Sequence, residues 1–168
     1  RNTYKPRKDN RYLIGRKYSD FLIYMEKNPD AKVIEMDTVY NDVSNGPFLQ
    51  TFKFREYDLL ICIYQTVKDS LHMLDGILLL EKILGKEMFD RGSEFILAEE
   101  AEIREDGTRR TRMFYCDSMA SWQKGSIENV HLLVREICPK GCDLHALGLT
   151  SQEKANLIST NINSYPKE

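Results

Sequence analysis

The apolar pattern changes period at Asp69, and that switch constrains the fold more than any other feature of the chain. Before it, "AKVIEMDTVY" (31–40), "FLQTFKF" (48–54) and "YDLLICIYQTV" (57–67) are rich in the β-branched, aromatic and aliphatic residues that strands favour. The turn Asn45-Gly46-Pro47 and the short polar link Arg55-Glu56 separate them, so the three predict an antiparallel meander. After the switch, Leu71, Leu74, Ile77, Leu78 and Leu84 suit one face of a helix ending near Gly85. The run "ILLL" at 77–80 also suits a buried strand, since periodicity does not separate the two over so short a length.

The flanking segments add helices. "YSDFLIYMEKNPD" predicts one that begins near Ser19 or Asp20 and stops before Asn28-Pro29. "RRTRMFYC" (109–116), after the Asp106-Gly107 turn, reads as a further strand. Ile127, Val130, Val134 and Ile137 recur at helical spacing behind Ser126, a candidate N-cap. A last helix, roughly Ser151 to Ile162, has Thr150 as its expected N-cap and Glu153 three residues on, a capping box. Strands first, then strand and helix in alternation, predict an α/β domain with a mixed sheet.

At 168 residues the chain has one domain's worth of core, with a soluble globular composition. No apolar run approaches the roughly 20 residues of a membrane span, and no secretory signal opens the sequence. Four cysteines without such a signal suit reduced thiols in an intracellular protein. The first residue is Arg, as expected of a fragment. The net charge of −2 hides an asymmetry: residues 1–17 carry +6, leaving −8 for the rest. A basic, Tyr-interleaved leader before an acidic body suits nucleic-acid binding, and the same composition suits a solvated leader.

Three acidic residues sit oddly. Asp37 interrupts the most apolar strand, where an unpaired carboxylate is costly. Asp90 precedes Arg91-Gly92, where the backbone turns. Glu128 opens a helix, where a carboxylate also suits the helix dipole. Each has a plain structural account when taken alone.

Taken in order, "EMDTV", "DRGSEF" and "FYCDSMASWQKGSIEN" resemble the Asp-Asp-Glu catalytic core of bacterial insertion-sequence transposases. The insertion sequence thirty family, within the wider retroviral-integrase group, is the nearest pattern. "CPKG" after the helix, "LTSQEK", the terminal "NINSYPK" and a basic residue seven positions past the Glu (Arg135) extend the resemblance over nearly the whole chain. It implies an RNase H-like fold: a mixed five-stranded sheet flanked by helices, spanning 19–168 behind the basic leader 1–18. The family's amino-terminal DNA-binding helices are not in this sequence.

By the same resemblance Asp37, Asp90 and Glu128 are the catalytic, metal-holding residues. Mg²⁺, with Mn²⁺ as a substitute, is the implied cofactor, since it prefers hard oxygen ligands and in pairs supports in-line phosphoryl transfer. Lys124 and Arg135 are candidate phosphate contacts, and Gln123 and Asn129 lie beside them as DNA-binding candidates. Trp122 either stacks on a base or, the preferred reading, braces the core. Arg109, Arg110 and Arg112 either face DNA or balance the nearby acidic patch. The implied partners are transposon ends and target DNA, with a homodimer or larger assembly on DNA in a bacterial cytoplasm.

Two features pull the other way. Only "KEMF" separates Gly85 from Asp90, against about 5–6 residues for a typical strand, so a non-catalytic relic that still binds DNA is the rival reading. His131, Cys138, Cys142 and His145 supply the ligand number of a structural zinc site but not its usual spacing.

Overall fold

The structure, a computed structural model, describes residues 11–41, 46–85 and 98–166. Strands β1 (Ile34–Val39), β2 (Phe48–Phe54) and β3 (Leu59–Gln65) form an antiparallel sheet in the order β1-β2-β3. Ile34 faces Phe54 and Val39 faces Leu49 across the first pair; Phe48 faces Gln65 and Phe54 faces Leu59 across the second. The predicted meander is therefore present, with the outer ends of β1 and β3 trimmed. All seven residues of β2 are buried, as befits a central strand covered on both faces.

The described residues also hold five α-helices: α1 (Tyr18–Lys27), α2 (Ser70–Leu84), α3 (Ala98–Glu102), α4 (Gly125–Ile137) and α5 (Gln152–Asn163), of which α2, α4 and α5 pack on the sheet. Side chains alternate across a strand, so the sheet feeds two cores. Ile34, Met36, Phe52 and Ile63 pack with Ile77 and Leu80 of α2. Val39, Leu49, Leu60 and Cys62 pack with Val134 of α4 and with Ala155, Ile158 and Ile162 of α5. "ILLL" is part of α2, which Asp69 caps by accepting from the His72 N–H at 2.9 Å and Gly85 ends with φ +80°.

Gly76 lets α2 lie close on the sheet. A Cβ there would fall 1.8 Å from Gln50 Oε1. The buried Gln50 uses its amide instead to donate to the Met73 carbonyl at 3.0 Å, while Gln65 donates to Gln50 at 3.0 Å and to the His72 carbonyl at 2.6 Å. These bonds satisfy polar groups that would otherwise be costly inside a core.

On the other side, α5 closes the free edge of β3. Asn163 exchanges two hydrogen bonds with the Leu60 backbone, at 2.9 and 2.8 Å. Ser159 accepts from the Cys62 N–H at 2.8 Å, and Gln152 accepts from Tyr64 and donates to the Cys62 carbonyl, both at 2.9 Å. An exposed strand edge invites pairing with another chain; here helix side chains occupy it.

Several expectations need correction. Among the described residues, 109–116 form no sheet strand and make only the single bridges Ile103↔Arg109 and Lys17↔Tyr115. Ser151, not Thr150, caps α5, because its hydroxyl reaches the Lys154 N–H. Ser126 lies inside α4, whose N-cap is Lys124 with no capping bond of its own. Of the two alternatives left open for Arg110, charge balance is the one the structure takes: it is buried, donates to Glu81 at 2.7 Å and bonds the α3 carbonyls of Glu100 and Ala101. Arg110 and Arg104 hold the Glu81 carboxyl below its usual range, outweighing the opposing effect of burial.

The described part of the leader is tied to the body. Arg16 pairs with the buried Glu102 at 2.8 Å, and its carbonyl accepts from the Tyr115 N–H. Among the described residues the fold is thus α/β with three antiparallel strands. The five-stranded sheet expected above reaches into 86–97, outside them. No helix among the described residues is long and apolar enough to cross a membrane.

Candidate active site

Strand β1 turns Glu35, Asp37 and Val39 to the face covered by α4, because alternate residues share a side. Glu35 is fully engaged there. Its Oε2 accepts from the Ile127 N–H at 2.6 Å and its Oε1 accepts from Arg55. A carboxylate from the sheet therefore does the work an N-cap residue would do for α4. That is why Ser126 is not needed as the cap.

Two residues on, Asp37 is half-buried and points to the same helix end. Lys124 Nζ donates to its Oδ2 at 3.2 Å, and the Thr38 N–H donates to its Oδ1 at 2.7 Å. Its backbone carbonyl accepts from Thr51 Oγ1, which also lies 2.8 Å from His131 Nε2. Burial pushes His131 below its ordinary value; Asp37 opposes that shift, and Lys124 and Arg135 add to it. Lys68 lies with its ammonium 3.2 Å over the Tyr40 ring, and loss of hydration there brings it down to about 8 against the pull of Asp37.

The lead-in to α4 is a single 3₁₀ turn, Ser121–Lys124, locked by one side chain. Gln123 is buried, accepts from the Asp117 N–H and donates to the Asp117 carboxylate, both at 2.8 Å. Lys124 and Glu128 are four residues apart on one helix face. Both line an open cleft of about 450 Å³ with Asp117, Met119 and Ser121. Lys124 thus touches Asp37 on one side and borders the cleft of Glu128 on the other. Hard carboxylate oxygens at partly exposed positions suit Mg²⁺ chemistry. Among the described residues alone, no three acids, histidines or cysteines gather as a metal site.

A search of family models finds no match. Among curated proteins, the transposase for insertion sequence element IS1086 of Cupriavidus metallidurans is 34% identical over 80 residues. The match covers 48% of this chain and 22% of that protein, so the chain spans about a fifth of its relative. The chain is similar to a bacterial insertion-sequence transposase.

The transposase resemblance rests on residues that the fold treats unequally. Asp37 and Glu128 come to the same end of α4; Asp90 lies outside the described residues. Lys124 pairs with Asp37 and lines the same cleft as Glu128. Arg135 is occupied within the protein: it bonds Asn41 Oδ1 at 2.7 Å and the carbonyls of Tyr40 and Cys138, tying the end of α4 to the end of β1. Gln123 faces inward as a brace, and Asn129 is exposed. Trp122 does not brace the core, since 70% of it is exposed; its ring meets that of Tyr18, edge to face at 5.7 Å. The zinc candidates do not converge: His131 faces Thr51, and Cys138 packs in the core beside α5. Sequence reasoning missed Glu35, Thr51 and Lys68. Only Glu35 left a signal, as a second acid two residues before Asp37 on one strand face.

Proposed function

We propose that this chain is the catalytic core of a DNA transposase, cutting the ends of a mobile element and joining the freed 3′-hydroxyl to target DNA. The observation that carries the reading is the Lys124–Asp37 ion pair, between residues 87 positions apart. It draws the first and third motif blocks to one helix end. The similarity to the IS1086 transposase supports the same reading over half the chain.

In this reading the fold is RNase H-like. With β3's outer edge occupied by α5, further strands have the outer edge of β1 to join, and that arrangement keeps Asp37 near the middle of a five-stranded sheet. Asp37, Asp90 and Glu128 would hold two divalent cations, Mg²⁺ or Mn²⁺. Bound there, the pair supplies activation of the attacking oxygen and stabilisation of the leaving one. The chain's own residues position the substrate. Lys124, released from Asp37, contacts a phosphate, while Gln123 holds Asp117 and Arg135 holds the far end of α4 to β1. Asn129 and Trp122 flank the bound strand. The protein works in the bacterial cytoplasm as a dimer or larger assembly on DNA.

The test incubates the protein with an end-mimicking duplex and Mg²⁺ or Mn²⁺, beside Asp37→Ala and Glu128→Gln. Metal-dependent nicking lost in both variants, with joined products, is the expected result. Binding without nicking would overturn it in favour of the relic, which the short "KEMF" spacer before Asp90 favours.

A further inference from the structure

Five aromatic rings run in contact across the surface beside the cleft. Tyr24 meets Phe114 at 5.5 Å, Phe114 meets Phe21 at 5.6 Å, Phe21 stacks on Tyr18 at 5.6 Å, and Tyr18 meets Trp122 at 5.7 Å. The first four rings are half-buried, and the fifth, Trp122, is 70% exposed. A large apolar ring left in water at the end of a packed row is a surface without its partner. Three residues earlier Met119 is fully exposed and lines the cleft that Lys124 and Glu128 share.

We infer that Trp122 is a stacking platform for a nucleobase lifted out of its duplex at the cleft. The inference rests on the DNA reading above and adds the form of DNA the site takes: an unpaired or frayed end. The charge pattern favours a nucleotide over an apolar peptide. Trp122 and Lys124 are two residues apart on one 3₁₀ turn, their Cα atoms at most about 7 Å apart, so the exposed indole and the lysine that borders the cleft belong to one short stretch of surface. Phosphate suits the ammonium and base suits the indole. A base inside a duplex shows only its edges; its face becomes available to Trp122 once it is unstacked. Met119, at the rim, is placed as the apolar wedge that keeps the gap open.

The chain has one tryptophan, so its emission reports on this position alone. The experiment titrates the wild type, Trp122→Leu and Trp122→Tyr each with a flush duplex and with the same duplex carrying a short unpaired 3′ tail. Affinity is read by anisotropy of labelled DNA and stacking by quenching of Trp122. The tailed duplex is expected to bind about tenfold tighter than the flush one and to quench the emission. Trp122→Leu removes that preference and Trp122→Tyr keeps most of it. Circular dichroism checks that each variant is folded. Equal affinity for both duplexes, or tail preference with unquenched Trp122, overturns the stacking inference and leaves the DNA reading standing. Failure of every duplex to bind overturns both.

Discussion

Replacing Glu35 by Ala tests the link between sheet and helix on which the site's geometry depends. The substitution leaves the Ile127 N–H without its acceptor, in a residue that is fully buried. An unsatisfied buried donor costs about 1–3 kcal/mol. The Arg55 pairing is lost too, but Arg55 is 39% exposed, and a pair screened to that extent contributes under about 1 kcal/mol. The expected loss is therefore about 2–3 kcal/mol in urea unfolding, at unchanged m-value. Glu35→Gln keeps a carbonyl for Ile127 and gives up only the charge, so its loss is about 1 kcal/mol. Because Lys124 and Glu128 flank the bond, the proposed nicking activity should also fall in the folded fraction of Glu35→Ala, while Gln restores most of it. A loss below about 0.5 kcal/mol for Ala, or equal losses for Ala and Gln, would refute the idea that this carboxylate caps α4.

Other outcomes follow from particular contacts. Gly76→Ala sets a methyl against Gln50 and should cost about 1–3 kcal/mol in the same assay, through overpacking rather than helix propensity. Glu81 sits below its ordinary value of 4.5, so its stabilisation is present above that pH and is lost as pH falls through the lowered value. Acid titrations of the wild type and Glu81→Gln should therefore converge at low pH. Burial pushes the Cys62 thiol up to about 12 and raises Cys138 as well. At pH 7.5, iodoacetamide should modify half-exposed Cys116 and Cys142 first, with Cys62 reacting only in denaturant, as peptide mass mapping will show. Lys124→Gln should weaken DNA binding and lower the slope of log affinity against log salt by about 0.9, the amount for one phosphate contact.

The strands and helices that follow from side-chain period were legible. β2 matches its predicted span because all of its residues are buried, and α2 follows from its period, its Asp69 cap and Gly85. Capping was read less well, since a cap supplied from a distant strand leaves no trace beside the helix it caps. Ser126 has the right chemistry and position, yet Glu35, 92 residues away, takes the bond. The segment 109–116 has strand composition, but Arg110 and Met113 turn inward to satisfy Glu81 and the core, and among the described residues no strand pairs with it. The acids were legible as motif blocks. That Lys124 faces Asp37 is a tertiary fact with no local signature, and so is the exposure of Trp122.

Glu35 and Asp37 share one strand face but are held to very different degrees. They share a side of β1 and the same helix end, yet 3% of the Glu35 side chain is exposed against 29% of Asp37. Both oxygens of Glu35 are committed, one to a buried N–H and one to a guanidinium, so neither can leave without cost to the helix. Asp37 is held by its neighbour's N–H and by the Lys124 ammonium at 3.2 Å, a side chain that also borders the cleft of Glu128. A cation arriving at Asp37 therefore displaces an exchangeable partner, while one arriving at Glu35 would have to break a cap. The fixed acid sets the position of the helix, and the exchangeable one suits the role proposed for it.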